Sequence, residues 1–136
     1  FNGNHTLNTL VGYEFRFGTK KEEAKFKSAL SLDVKFTWNG GGRYSEILID
    51  QSVLANEEIR DLNNAFDKKY TDYMKGNFRI AYKLIGKKAT QEWAFDIQNV
   101  TNRKNIFYQE YNSFAGAVRT VYQNGLLPIM QYRVTF

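Results

Sequence analysis

Apolar and polar residues alternate along five stretches of the sequence, and this period of two constrains the fold more than any other feature. The apolar positions are Leu7, Val11, Tyr13, Phe15 and Phe17, then Leu30, Leu32, Val34, Phe36 and Trp38, then Met74, Phe78, Ile80, Tyr82 and Leu84, then Trp93, Phe95 and Ile97, and lastly Met130, Tyr132, Val134 and Phe136. Successive side chains of a β-strand point to opposite faces. Each stretch therefore predicts a strand with one apolar and one polar face, and the predicted fold class is all-β.

Composition narrows the class of protein further. The 136 residues include no Cys, which excludes a disulfide scaffold and Cys-ligated metal centres. Aromatic residues make up 16%, far too many for a disordered chain. No run approaches the ~18 apolar residues of a transmembrane helix. The net charge of +5 comes without a long basic run, so no nucleic-acid partner is expected. A soluble β-domain or a piece of a transmembrane β-barrel remains.

The connections between the predicted strands alternate between short and long. The short ones are Gly18–Lys27 and Gly86–Gln91, and the long ones are Asn39–Asp72 and Thr101–Gly125. This order puts both short turns at one end of the strands and both long loops at the other. In the first long loop we predict a helix over Glu57–Lys69 with Asn56 as its N-cap. In the second we predict a hairpin of Ile106–Tyr111 with Ala117–Tyr122.

Both patterns are typical of antiparallel, up-and-down transmembrane β-barrel strands. Such strands need about 9–11 residues, alternate between lipid and lumen, and are joined by short periplasmic turns and long extracellular loops. The residues expected to face lipid are Leu32, Val34, Phe36, Phe78, Ile80, Phe95 and Ile97. The residues expected to face the lumen are Asp33, Lys35, Arg79, Asp96 and Arg133. The alternative is a soluble β-sandwich or closed barrel that places the same apolar side chains in a core.

The last strand favours the membrane interpretation. The chain stops at Phe136, with Tyr132 and Val134 at alternate positions before it. Bacterial outer-membrane barrels end on such a strand, so we expect these three residues to act as the signal for the outer-membrane assembly machinery. An unpaired strand edge offers its backbone groups for strand addition.

Three segments carry a family resemblance: FDIQNVTNRKNIF (Phe95–Phe107), LSLDVKFTWNGGGRY (Leu30–Tyr44) and YQNGLLPIMQYRVTF (Tyr122–Phe136). They resemble the C-terminal end of TonB-dependent outer-membrane receptors of the Bacteroidota type, in the subgroup with a carboxypeptidase-like regulatory domain. The NVTN element is the most specific of these features.

The resemblance implies that residues 1–136 are the C-terminal part of an outer-membrane barrel of 22 strands. It implies import of a scarce nutrient such as a ferric siderophore, with energy from TonB. The implied partners are the remaining barrel strands, the plug, TonB through the missing N-terminal part, the assembly machinery and the lipid bilayer. About five strands cannot close a barrel, so we expect the chain to be a fragment or one piece of a barrel that other residues complete.

Residues that could carry chemistry are few. His5 is the single His, and with no Cys present it has no second strong metal ligand. Nucleophile and phosphate-binding motifs are absent, so we expect neither an enzyme nor a cofactor. The likeliest cargo contacts lie in the long loops, at Arg43, Tyr44, Tyr108 and Tyr111. The polar face carries an excess of basic residues, which predicts cross-strand ion pairs and favours anionic cargo. The alternative function is a soluble domain that binds a small ligand or glycan.

Overall fold

The residues that the structure describes form antiparallel sheets with one short helix, and 59% of them are in β-strands. The structure is a computed structural model that describes residues 4–18 and 27–136. Its largest sheet has five strands, which are β1 (Thr6–Phe17), β2 (Ser28–Asn39), β5 (Tyr73–Ile85), β6 (Thr90–Gln98) and β9 (Leu127–Thr135). They lie side by side in the order β1-β2-β5-β6-β9. The smaller sheets pair β3 (Arg43–Tyr44) with β4 (Lys68–Lys69) and β7 (Ile106–Asn112) with β8 (Ala117–Tyr122). The all-β prediction is confirmed, and each of the five predicted strands is present.

Hydrogen bonds at the strand ends fix the direction of the sheet. The Lys27 N–H donates to the Phe17 carbonyl at 3.0 Å, and the Gly40 N–H donates to the His5 carbonyl at 2.9 Å. β1 and β2 are therefore antiparallel, as are β5 with β6 and β6 with β9. The five-stranded sheet is open, with β1 and β9 as its outermost strands. Most of the connection 18–27 lies outside the described residues.

The single described helix is α1 (Ile49–Ala55), so the prediction of a helix over 57–69 is wrong. Asn56 closes α1 at its C-terminus in the left-handed conformation (φ 56°) instead of opening a helix. Asn suits both positions, because its short polar side chain caps N-termini and also tolerates positive φ. The chain then reverses, and the Ile59 N–H donates to the buried Ser52 hydroxyl at 2.9 Å. Asp61 next accepts hydrogen bonds from the N–H groups of Asn63 and Asn64, which favours turns over helix.

The predicted hairpin in the second long loop is confirmed. β7 and β8 pair antiparallel from Ile106 opposite Tyr122 to Asn112 opposite Ala117. The Asn112 side chain accepts the N–H groups of Phe114 and Ala115, which closes the turn. Gly116 completes the turn at φ 60°, a conformation that glycine adopts at little steric cost.

The chain divides into two compact units. The loop unit contains Phe1–Leu7, Thr37–Met74 and Arg103–Asn124, and the sheet unit contains Asn8–Phe36, Lys75–Asn102 and Gly125–Phe136. In the described part of the sheet unit, the buried apolar side chains are Ala29, Ala81 and Ala94. In the loop unit, Ile47 is buried together with the polar residues Ser45, Ser52 and Asn105. No described helix has the length and hydropathy of a membrane span.

Candidate functional site

The polar face of the sheet unit carries a network of cross-strand ion pairs. Strand register places Arg79 opposite Asp96, and Lys83 opposite Glu92. Arg79 approaches both Asp96 and Glu92 at 3.2 Å, and the Lys83 ammonium lies 3.7 Å from Glu92. The predicted cross-strand ion pairs are therefore confirmed on β5 and β6. Each such pair contributes about 0.2–1 kcal/mol.

Glu92, which accepts from two basic residues, was missed by the sequence analysis. The predicted fourth strand begins at Trp93, whereas β6 begins at Thr90. Extending the alternation back from Asp96 through Ala94 reaches Glu92, so the signal was present in the sequence. The Glu92 carboxylate adds a negative charge to the polar face, so basic residues outnumber acidic ones there by less than the sequence predicted.

The same face continues onto β1 and β2. The Asp33 carboxylate lies over Gly12, where a Cβ would collide with it. A groove on this face is lined by Asp33, Lys35 and Arg79, together with Asn77, Asp96 and Gln98. Arg133 joins the face on β9, where it lies opposite Glu92. The structure thus brings together the five residues that the sequence assigned to a lumen. That this face lines a lumen stays a prediction.

The opposite face of the sheet unit is apolar and exposed. Its cross-strand rows on β5, β6 and β9 are Phe78, Ile97 and Pro128, then Ile80, Phe95 and Met130, then Tyr82, Trp93 and Tyr132. Met130 is 81% exposed, Tyr132 58% and Phe95 37%. Val34 and Phe36 of β2 are exposed as well. A face with this much exposed apolar surface is unusual in a soluble monomer and marks a surface that contacts another apolar phase or partner.

One row of this apolar face is fully aromatic. The ring centroids of Tyr82 and Trp93 are 6.5 Å apart, and those of Trp93 and Tyr132 are 5.3 Å apart. The Tyr132 hydroxyl donates to the Gln91 side chain at 3.0 Å. The row lies toward the end of the sheet that carries the short connections. Rings with an apolar body and a polar edge suit a boundary between an apolar and an aqueous phase.

The two long loops are held together in the loop unit by Arg60 and Glu58. The Arg60 guanidinium donates to the Ser45 carbonyl at 3.0 Å and to the Gln109 carbonyl at 2.9 Å. Glu58 accepts from the Arg60 Nε at 2.7 Å and from the Tyr111 N–H at 2.9 Å. The second loop is thereby fixed to the first at both Gln109 and Tyr111.

We expect Arg60→Gln to loosen the loop unit by about 1.5–3 kcal/mol, because two carbonyls and a carboxylate lose a charged donor. Arg119→Gln is the matched control, since Arg119 is exposed and pairs with Glu110 within one hairpin. Native-state hydrogen exchange at the Tyr111 and Asp61 amides measures the difference. Equal loss of protection in the two variants would show that Arg60 does not link the two long loops.

The predicted cargo contacts lie in two pairs, one on β3 and one on β7. Arg43 and Tyr44 are neighbours on β3 and point to opposite faces, and the Tyr44 ring stacks on Tyr70 with centroids 4.1 Å apart. Tyr108 and Tyr111 are three positions apart on β7, which also places them on opposite faces. That these four residues contact cargo stays a prediction.

Asp72 is a hydrogen-bonding centre that the sequence analysis missed. Its carboxylate accepts the Trp38 indole N–H at 3.1 Å and the Gly41 N–H at 3.0 Å. The Lys69 ammonium lies 3.4 Å away, and the His5 Nε2 lies 3.7 Å away. His5 also packs edge-on against Trp38, with centroids 4.8 Å apart. Apart from Lys69, the partners of Asp72 come from two distant parts of the chain, so no local sequence signal marks it.

The Asp72 contacts predict how the loop unit responds to acid. The Gly41 N–H, then the Trp38 indole and Lys69, hold the pKa of Asp72 below its ordinary value. A lowered folded pKa means that the stabilisation is complete above the ordinary Asp pKa and is lost as pH falls through the folded pKa. We expect the Trp38 indole N–H resonance to titrate with a midpoint below the ordinary Asp range, and to lose this transition in Asp72→Asn. A midpoint at the ordinary value would contradict the contacts.

The NVTNRKN element ends β6 through three asparagines. Asn99 and Asn102 adopt left-handed conformations, with φ 52° and 50°. In the sheet unit, the Asn99 N–H donates to the Asn77 side chain at 3.0 Å, and the Asn102 side chain accepts the Leu126 N–H at 3.0 Å. In the loop unit, the buried Asn105 amide pairs with both backbone groups of Met74 at 3.0 and 2.8 Å. The asparagines of this element therefore have structural roles.

Comparisons with protein-family models, with curated proteins and with solved structures found no match to this chain. Among residues 4–18 and 27–136, no group of three or more His, Asp or Glu side chains is placed to hold a metal ion. The two faces of the sheet unit and the linked loops are thus the features on which a function can be argued.

Proposed function

We propose that the chain is a segment of a transmembrane β-barrel in the bacterial outer membrane. The observation that carries this proposal is the contrast between the two faces of the sheet unit. One face exposes aromatic and aliphatic side chains, whereas the other pairs Arg79, Lys83, Glu92 and Asp96 in ionic contacts. A barrel wall needs these two faces, because lipid contacts one and water in the lumen contacts the other.

Strand length supports the same proposal. The five strands have 9 to 13 residues. A tilted transmembrane β-strand needs about 9–11 residues, so each of the five strands reaches the length that such a strand needs. The aromatic row of Tyr82, Trp93 and Tyr132 has the composition of the girdle found where such a band meets water.

The soluble alternative requires a different arrangement of the apolar side chains. In a sandwich or small closed barrel, Phe95, Met130 and Tyr132 would pack against a second layer. In the described residues they are exposed, and the buried apolar side chains of the sheet unit are three alanines. This observation favours the membrane proposal over a soluble ligand- or glycan-binding domain.

The open edges of the sheet indicate how the segment is completed. β1 and β9 each have one neighbour in the five-stranded sheet. Unpaired edges recruit further strands. We therefore propose that strands from other residues pair with both edges and close a barrel. In that barrel Tyr132, Val134 and Phe136 contact lipid and act as a signal for the assembly machinery.

The receptor class completes the proposal. We propose a TonB-dependent receptor that imports a scarce nutrient such as a ferric siderophore, with a plug and TonB as partners. The long loops, which Arg60 and Glu58 link into one unit, form part of the extracellular vestibule. Binding residues are commonly loop residues on a rigid scaffold, and the linked loops provide such a surface.

The proposal is tested in the native bacterium with two epitope tags. One tag is placed at the β7–β8 turn (113–116) and the other between Lys87 and Lys88. We expect intact cells to bind antibody at the first tag alone, and permeabilised cells to bind it at both. Recovery of the protein in a soluble fraction would contradict the membrane proposal. Labelling of the second tag alone on intact cells would reverse the orientation.

The receptor class needs a separate measurement. Deletion of the gene is expected to lower the uptake of a radiolabelled ferric siderophore, and the unaltered gene to restore it. A variant without the hairpin 106–122 should reach the membrane but fail to restore uptake. Unchanged uptake in the deletion strain, across several siderophores, would contradict the cargo class and leave the membrane proposal standing.

A further inference from the structure

Three exposed lysines lie together at the short-connection end of the sheet unit. Lys27 precedes β2, and its backbone carbonyl accepts the Ile85 N–H at 2.9 Å. The residues after Ile85 form the β5–β6 turn, in which the Gly86 N–H donates to the Ala89 carbonyl at 2.9 Å. Lys87 and Lys88 occupy the tip of that turn. We call Lys27, Lys87 and Lys88 the turn lysines.

The turn lysines lack carboxylate partners among the residues that the structure describes. Three other described lysines have a carboxylate partner: Lys68 contacts Glu46, Lys69 contacts Asp72 and Lys83 contacts Glu92. None of the turn lysines has such a contact, and all three are exposed. Residues 18–26 of the connection add to the positive charge, since their sequence contains three Lys and two Glu. This end of the sheet therefore offers positive charge that the described part of the chain does not neutralise.

The aromatic row lies a short distance inside the turn lysines. Tyr82 is three residues from Ile85, the residue bonded to Lys27, which corresponds to roughly 10 Å along the strand. The exposed residue Phe17 is also close to Lys27, because its carbonyl accepts the Lys27 N–H. Aromatic rings at the apolar boundary with lysines just beyond them match the order of acyl chain, interface and phosphate in a phospholipid leaflet.

We propose that the turn lysines bind the phosphate groups of anionic phospholipids at the membrane surface on the short-connection side. The proposal rests on the membrane function proposed above and adds the lipid chemistry that this end of the sheet selects. A lysine ammonium is a compact point charge on a flexible stem, which suits a mobile headgroup phosphate better than a fixed bidentate partner. The binding fixes the depth of the aromatic row in the leaflet.

The test compares vesicles of phosphatidylcholine with vesicles that also contain phosphatidylglycerol, using the full 136-residue chain. We expect the chain to bind both, with a preference of roughly 25-fold or more for the anionic vesicles at low salt and loss of that preference at high salt. Lys87→Gln with Lys88→Gln should reduce binding to anionic vesicles by about 25-fold, from roughly fivefold for each lysine. Binding to phosphatidylcholine should be unchanged.

The matched control is Lys68→Gln with Lys69→Gln, which removes the same charge from another adjacent pair of lysines in the loop unit. We expect this control to keep the preference for anionic vesicles. Equal loss in both double variants would mean that net charge alone sets the preference, and would overturn the proposal. Equal binding of the unaltered chain to both vesicles would overturn it too, while the membrane function would stand. Failure to bind either vesicle would overturn the membrane function itself.

Discussion

Met130→Lys is expected to abolish most of the chain's partitioning into phospholipid vesicles. Met130 lies in the middle row of the apolar face, opposite Phe95, and its side chain is 81% exposed. A lysine near the bilayer midplane costs about 2–4 kcal/mol, which corresponds to a loss of roughly 30- to 1000-fold in partitioning. Co-sedimentation with phosphatidylcholine vesicles measures this loss.

Gln131→Lys is the control for that experiment. Gln131 is the next residue on β9, is also exposed, and lies on the polar face opposite Ala94. The same new charge is therefore expected to leave partitioning almost unchanged. If this sheet were surrounded by water on both faces, both substitutions would be harmless. Equal partitioning of the two variants would contradict a lipid-facing role for the apolar face.

Gly41→Ala is expected to destabilise the loop unit by about 1–3 kcal/mol, the usual cost of forcing an extra methyl into a filled space. A Cβ on Gly41 would collide with the backbone carbonyl of Tyr70, which cannot turn away as a side chain can. Any shift of this backbone also weakens the bond from the Gly41 N–H to Asp72 and the bond from the Tyr70 N–H to Gly42. Hydrogen exchange at the Tyr70 amide reports the loss.

Gly42→Ala is the control for this experiment. It tests whether any substitution in the run Gly40–Gly42 is destabilising or only the one that meets Tyr70. A Cβ on Gly42 meets no atom within 4 Å. We expect its effect to lie between neutral and slightly stabilising, since alanine restricts the unfolded chain. Comparable destabilisation by both substitutions would show that the contact of residue 41 with Tyr70 is not the cause.

The five long strands could be predicted because one physical pattern fixes them. Every second residue from Leu30 to Trp38, for example, is apolar, and a one-residue error would place Asp33 and Lys35 on the apolar face. The β7–β8 hairpin was predictable for a similar reason. Two segments rich in β-branched and aromatic residues flank a turn that Asn112 and Gly116 close. Strand ends were less certain, which is why Glu92 was missed.

The loop unit could not be predicted to the same extent, because long-range contacts determine it. Asn56 satisfies the rules for opening a helix and for closing one, and the Ser52 contact with Ile59 decides between them. Arg60 looks like an exposed surface residue in the sequence, yet it bonds to carbonyls 15 and 49 residues away. Asp72 likewise gathers His5, Trp38 and Gly41 from distant segments. Local sequence patterns do not predict such long-range contacts.

The most direct test of the account is a cysteine scan along β6 in a lipid bilayer. The chain has no native cysteine, so each residue from 93 to 98 can be replaced singly and labelled with an environment-sensitive fluorophore. We predict a period of two: labels at 93, 95 and 97 are quenched by a quencher attached to lipid, and labels at 94, 96 and 98 by one dissolved in water. Equal access of the aqueous quencher to both sets would contradict the claim that the apolar face of this sheet contacts lipid.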